Sequence, residues 1–195
     1  PRFVFAFVIL YALFLLDFAA RLGVTAVFPA MKEALGLSDS QVGVTGSAVL
    51  CGMTLFVLPL SFLADKTSKK RAVCLMSGLW GLGCLLCGLV SNFLLILLGR
   101  FMVGMGNASY APVSVSMLTS WTRKSRWGSV IGSYNSAMAV GIALGTTVAG
   151  LLAQSMGWRA PFIVIGACTL LFALLALSLP RTQTQEDVAQ KSDVS

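Results

Sequence analysis

The chain predicts an all-α integral membrane protein of six spans, arranged as two inverted three-helix repeats, and three observations carry that prediction. Of its 195 residues, 57% are hydrophobic and only 11% are charged, against about 25% charged in a soluble domain. The charges are gathered into short stretches, which leaves apolar tracts close to the roughly 20 residues that cross a bilayer. Two ten-residue stretches, SFLADKTSKK (Ser61–Lys70) and GLLAQSMGWR (Gly150–Arg159), also align without gaps at the exits of the second and fifth tracts.

In chain order, apolar runs and breakers give segments at about 3–28, 41–63, 72–91, 93–119, 128–154 and 160–179. The first is too long for a signal peptide and has no cleavage site before its charged pair. It opens at Pro1 rather than Met, as a processed chain or a fragment does. The first connection carries MKEALGLSDS, whose Ser38-Asp39-Ser40 suits the N-cap of segment two. The second is ADKTSKKR, the third only SN, the fourth WTRKSRW and the fifth SMGWR. Residues 1–180 thus form a helical bundle, and 181–195 are a polar stretch without periodicity, expected to be a flexible cytoplasmic linker.

The net charge of +7 follows from topology and does not call for nucleic acid. Arg2, Lys66, Lys69, Lys70, Arg71, Arg123, Lys124, Arg126, Arg181 and Lys191 fall on one side of the six-segment scheme, and only Lys32 and Arg159 on the other. Arg21 and Arg100 lie inside segments, which completes the 14 basic residues. This bias places both termini in the cytoplasm of a multi-pass protein, with a bacterial inner membrane expected. It also accounts for Lys66–Arg71 without a dedicated lipid-binding role. The five cysteines all fall in apolar tracts, and Cys84-x-x-Cys87 reads as core filler, with no disulfide framework. The chain has no His, so no His-based triad or usual zinc site exists, and an aspartyl protease would need a second carboxylate at the depth of Asp17. Enzyme activity is not expected.

If the two aligned stretches mark true repeats, segments one to three and four to six are copies in opposite orientations, a transporter architecture. At these residues the chain resembles the major facilitator superfamily. In SFLADKTSKKR, Asp65, Lys66, Lys69 and Lys70 match the family's loop between helices two and three, while Ser61 and Ser68 replace its two glycines. GRFMVGMGNASYAP (Gly99–Pro112) resembles its fourth helix, with Gly104 four residues after Arg100, and GWRAPF its helix five–six connection. The resemblance, closest to the organic anion symporter-like branches, implies half of a twelve-helix transporter. The partners it implies are membrane lipid and a second six-helix half, or alternatively a homodimer partner. It further implies that Asp65, flanked by Lys66, Lys69 and Lys70, latches the two halves against a helix N-terminus.

Charges inside a bilayer cost several kcal/mol and face a bundle interior or water. Asp17 and Arg21 stand four residues apart, about 40° around one helix face, close enough to pair. With segment one starting near Phe3, they lie about 21 and 27 Å along it; Arg100 lies roughly 10 Å into segment four, which runs the other way. All three then share the outer-to-middle zone on equivalent helices, and in the family those helices line the substrate cavity. Guanidinium forks bind carboxylate or phosphate, so Arg21 and Arg100 predict a small anionic solute as ligand. Asp17 is the group to couple a proton gradient, with no other cofactor. Alternatively the charges only order helix packing, with Arg100 bonded to carbonyls.

Asn107 lies on the Arg100 face and Tyr134 and Asn135 are the polar members of segment five; all three are further candidate solute contacts. Pro112 predicts a kink, and Gly141 and Gly145 a close helix contact. The expected function is secondary active transport of a small organic anion by alternating access, as proton symport. Proton-driven export of drugs or lipids is the alternative, although the Gly-Pro pair that such exporters usually carry in helix five is absent from this sequence. A non-transporting membrane scaffold is the second.

Overall fold

The computed structural model describes residues 2–179. The expected linker at 181–195 lies outside them. Within them every regular element is helical: α1 (Arg2–Arg21), α2 (Phe28–Leu35), α3 (Asp39–Lys66), α4 (Lys69–Leu89), α5 (Phe93–Asn107), α6 (Tyr110–Ser120), α7 (Trp127–Met156) and α8 (Ala160–Ala176). Short 3-10 turns join α1 to α2 at Gly23–Val27 and precede α7 at Lys124–Arg126. Five stretches are long and apolar enough to cross a membrane: Phe3–Leu35, Asp39–Lys66, Lys69–Leu89, Phe93–Ser120 and Lys124–Met156. Ala160–Ala176 is a shorter apolar helix of 17 residues.

Local chemistry explains the boundaries. The first span corrects the expected limit near residue 28, because Met31–Leu35 is helical and only then does Gly36, at φ 62°, turn the chain out of α2. Glycine, with no Cβ, takes up that left-handed conformation at the least cost. Ser38 then caps α3 as expected: its hydroxyl accepts from the Gln41 N–H, while the Gln41 side chain accepts from the Ser38 N–H. Asn92 caps α5 with a single bond, its Oδ1 accepting from the Leu94 N–H. Gly157, at φ 87°, and Pro161 in the first turn of α8 make the corner between the last two helices.

The pairings repeat. The α1 helix packs along α7 and α3 along α5, while α4 packs against α8. Exchanging the first three spans with the last three turns the first pairing into the second and returns the third to itself, as two copies of one three-helix unit require. Ser61–Lys70 runs from the end of α3 into α4, and Gly150–Arg159 from the end of α7 into α8, so the aligned stretches hold equivalent places.

Both long seams are made by glycine. A Cβ on Gly141 or Gly145 would strike the backbone of Leu15 or Ala19. One on Gly104 would strike the Val49 carbonyl, and one on Gly52 the Phe101 carbonyl. In lipid, where apolar side chains gain little by leaving the solvent, such backbone-to-backbone contact supplies much of the adhesion between helices. The five cysteines are free thiols. Outward faces of α3 and α7 expose Leu50, Leu55, Leu58, Leu144, Val148 and Leu151.

Candidate functional site

The first and fourth spans, equivalent under the repeat, are both broken. In the first, α1 stops at Arg21, and the Thr25 N–H bonds to the Leu22 carbonyl at 3.1 Å instead of the Arg21 carbonyl that a continuing α-helix would use. Carbonyls at the helix end are therefore left over, and Arg100 meets them from α5. Its Nη1 donates to Ala20 O at 2.9 Å, its Nη2 to Arg21 O at 3.3 Å, and its Nε to Thr45 O of α3 at 3.4 Å. Arg100 is 1% exposed. A permanent cation at the negative end of a helix dipole is favourable there, and its fork reaches several acceptors at once. The Phe28 ring lies 5.5 Å from the guanidinium. Arg100 thus adopts the carbonyl-bonded arrangement in this structure.

The second break has a local cause. Pro112 has no N–H for the carbonyl four residues back, at Ala108, and its ring crowds that carbonyl. The span parts there, between α5 and α6, as the proline predicts. Ser109 inside the break donates to Val57 O at 2.9 Å and accepts from Ser61, with the two hydroxyls 2.8 Å apart. Ser61 stands where the resemblance expects glycine, and its hydroxyl fastens α3 to the break. Asn107, 5% exposed, has neither amide atom hydrogen-bonded.

Between the breaks lies an aromatic and polar core. Phe14 stacks on Tyr134 at 4.5 Å, and Trp80 meets Tyr110 edge-on at 4.9 Å. The Tyr110 hydroxyl donates to Leu10 O, and Tyr134 bonds Ser114, the oxygens 2.6 Å apart. Asp17 is buried in this core at 4% exposure, and its Oδ1 has no hydrogen-bond partner. The buried Trp80 indole N–H is likewise unpaired. Buried polar atoms are rarely left so without an ordered water or a functional reason.

Asp17 and Arg21, which the spacing brings close enough to pair, form no ion pair among the described residues. Arg21 instead donates through Nη1 to Met53 Sδ at 3.0 Å and lies 4.4 Å over the Phe18 ring, half-buried. The 40° offset is enough to send one side chain into the core and the other toward α3. Tyr134 and Asn135, one residue and about 100° apart, also separate: Tyr134 is buried and Asn135 exposed. Asp17 and Tyr134 therefore share the core, Arg21 lies at its margin, and Asn135 lies outside it.

The latch residues sit apart from this core, at the end of α3 and start of α4. Asp65 is exposed, Lys66 lies 4.3 Å over the Phe62 ring, and Lys69 donates to Ser116 of α6 at 2.6 Å. Lys70 is half-buried. Trp80, Tyr110 and Ser114 belong to the core but were not read from the sequence. The signal available was polarity in mid-span, which marks Trp80 and Tyr110.

The family model described as Major Facilitator Superfamily matches residues 7–193. The probable sulfoacetate transporter SauU of Cupriavidus necator is 27% identical over 163 residues, 84% of this chain and 38% of that protein. The probable L-galactonate transporter of Escherichia coli is 26% identical over 87% of this chain and 37% of its own length. A crystal structure of a bacterial homolog to the human lysosomal transporter Spinster, inward-facing and occupied, superposes with a TM-score of 0.83 at 26% identity, over 94% of this chain and 46% of that one. The chain spans less than half the length of the curated relatives it matches.

Proposed function

The chain belongs to the major facilitator superfamily, and on that premise we propose that it forms half of a secondary transporter for a small organic anion. The observation that carries the proposal is the buried, unpaired Asp17 carboxyl beside an Arg21 that has no carboxylate within ion-pair distance among the described residues. Arg21, half-exposed at the margin of the core, is the first contact for a carboxylate or sulfonate of the solute. Asn107 offers a free amide in the break, Tyr134 shapes the wall and Asn135 reaches the open side. Arg100 holds the end of α1 in place beside them. Relatives named for sulfoacetate and L-galactonate support a small polyoxygenated acid as substrate.

Asp17 is the coupling group, taking up and releasing a proton as access alternates. Asp65, with Lys66, Lys69 and Lys70, latches the halves. The second half covers the apolar faces of α3 and α7, and the basic bias puts the termini in the cytoplasm. Similarity to a Spinster homolog favours a second reading, transport of an amphiphile.

The test is uptake of labelled sulfoacetate and galactonate into proteoliposomes holding the full-length protein, with and without an inward proton gradient. Gradient-driven uptake is expected, abolished by Arg21→Ala and uncoupled from the gradient by Asp17→Asn. Uptake indifferent to the gradient in the wild type removes the coupling role. Uptake of neither acid, with flux of a lysolipid instead, establishes the second reading.

A further inference from the structure

The two guanidiniums inside the spans are held by opposite kinds of partner. Arg100 is 1% exposed, and its Nε, Nη1 and Nη2 each donate to a main-chain carbonyl. Arg21 is half-buried and is held by groups that carry no charge. Its Nη1 donates to Met53 Sδ at 3.0 Å, and the guanidinium lies 4.4 Å over the Phe18 ring. Among the described residues its Nε has no hydrogen-bond partner, and no carboxylate lies within ion-pair distance. A thioether is a weak acceptor, and an aromatic face attracts a cation without neutralising it. Both direct the side chain and leave its charge uncompensated. Both also stand on fixed parts of the bundle. The buried Phe18 ring meets Phe14 edge-on at 5.1 Å, and Phe14 stacks on Tyr134. Met53 follows Gly52, whose close approach to the Phe101 carbonyl sets α3 against α5.

We propose that Met53 and Phe18 form a neutral clamp that aims the Arg21 guanidinium at the solute, with Met53 as a positioning residue. The proposal rests on the reading of Arg21 as the anion contact, and it narrows the class of solute. With each nitrogen of Arg100 engaged, Arg21 is the guanidinium left open within the described spans, so this half takes hold of one carboxylate or sulfonate group. A long side chain at a helix end otherwise samples many rotamers, and fixing it beforehand lowers the ordering cost of binding. Sulfur suits the task because it yields readily to a stronger acceptor. A carboxylate at position 53 would defeat the arrangement, since an ion pair within the protein competes directly with the anion of the solute.

Uptake kinetics of labelled galactonate, in proteoliposomes of the full-length protein, separate binding from turnover. Met53→Leu keeps the volume and removes the acceptor. It is expected to raise the half-saturation concentration about fivefold with the maximal rate unchanged. Met53→Gln, whose amide oxygen accepts in place of sulfur, is expected to recover most of that loss. Met53→Glu is expected to abolish uptake. A half-saturation concentration in Met53→Leu equal to wild type overturns the proposal, as does a fall in maximal rate alone, which marks a packing role. Phenylglyoxal labelling of Arg21, read by peptide mass spectrometry, tests the clamp without transport. Labelling is expected to be faster than wild type in Met53→Leu and slower in Met53→Glu. That order with no uptake of galactonate by the wild type overturns anion transport and keeps the clamp. Equal labelling in all three overturns the clamp, whatever the uptake.

Discussion

The breaks in the first and fourth spans occupy equivalent places in the two repeats but are held open by unlike means. At the first break Gly23 and Pro29 interrupt the helix locally, and the freed carbonyls at its end are claimed by a guanidinium 79 and 80 residues away. At Ala108 the proline four residues on removes the bond, and Ser109 and Ser61 tie the break to α3. Both breaks stand just ahead of a proline, but only the first has its carbonyls capped by a charged side chain from another helix. The difference teaches that similar bends can be stabilised by tertiary contact or by covalent constraint. Only the first kind collapses when a distant side chain is changed.

Substitutions sharpen that contrast. Arg100→Leu is expected to have the largest effect, lowering stability by about 3 kcal/mol through three lost bonds and the carbonyls left behind; thermal unfolding of the full-length protein in detergent reads it. Arg100→Lys, with a single point charge in place of the fork, should recover less than half of the loss. Gly23→Ala comes next, at about 2 kcal/mol by the same measurement, because its Cβ meets the Gly145 backbone at 2.7 Å. Ser109→Ala at the second break is expected to cost about 1 kcal/mol. Pro112→Ala is smallest, within about 1 kcal/mol, because the restored N–H offsets what the surroundings lose. If Pro112→Ala proves as damaging as Arg100→Leu, the distinction between the two breaks is wrong.

The same contrast explains what was legible beforehand. The spans, the capped start of α3, the Gly141–Gly145 seam and the bend before Pro112 depend on residues near one another in the chain, so pattern reveals them. The partners of Arg100 are not legible, because they are main-chain carbonyls and nothing local says which distant side chain will reach them. Asp17 and Arg21 failed to pair for a related reason. Helical spacing gives the angle between them, but the packing of α3 through Met53 and the Phe18 ring decides which way the guanidinium swings. Site residues on Tyr134 and Asn135 separated because a candidate pair adjacent in sequence is split by the helix itself.

Arg100 lies on the second repeat and grips two helices of the first. Sliding α1 past α3, or either past α5, has to tear donors from acceptors in a medium that offers no water to replace them. The first, second and fourth spans are consequently tied to one another at a single buried cation.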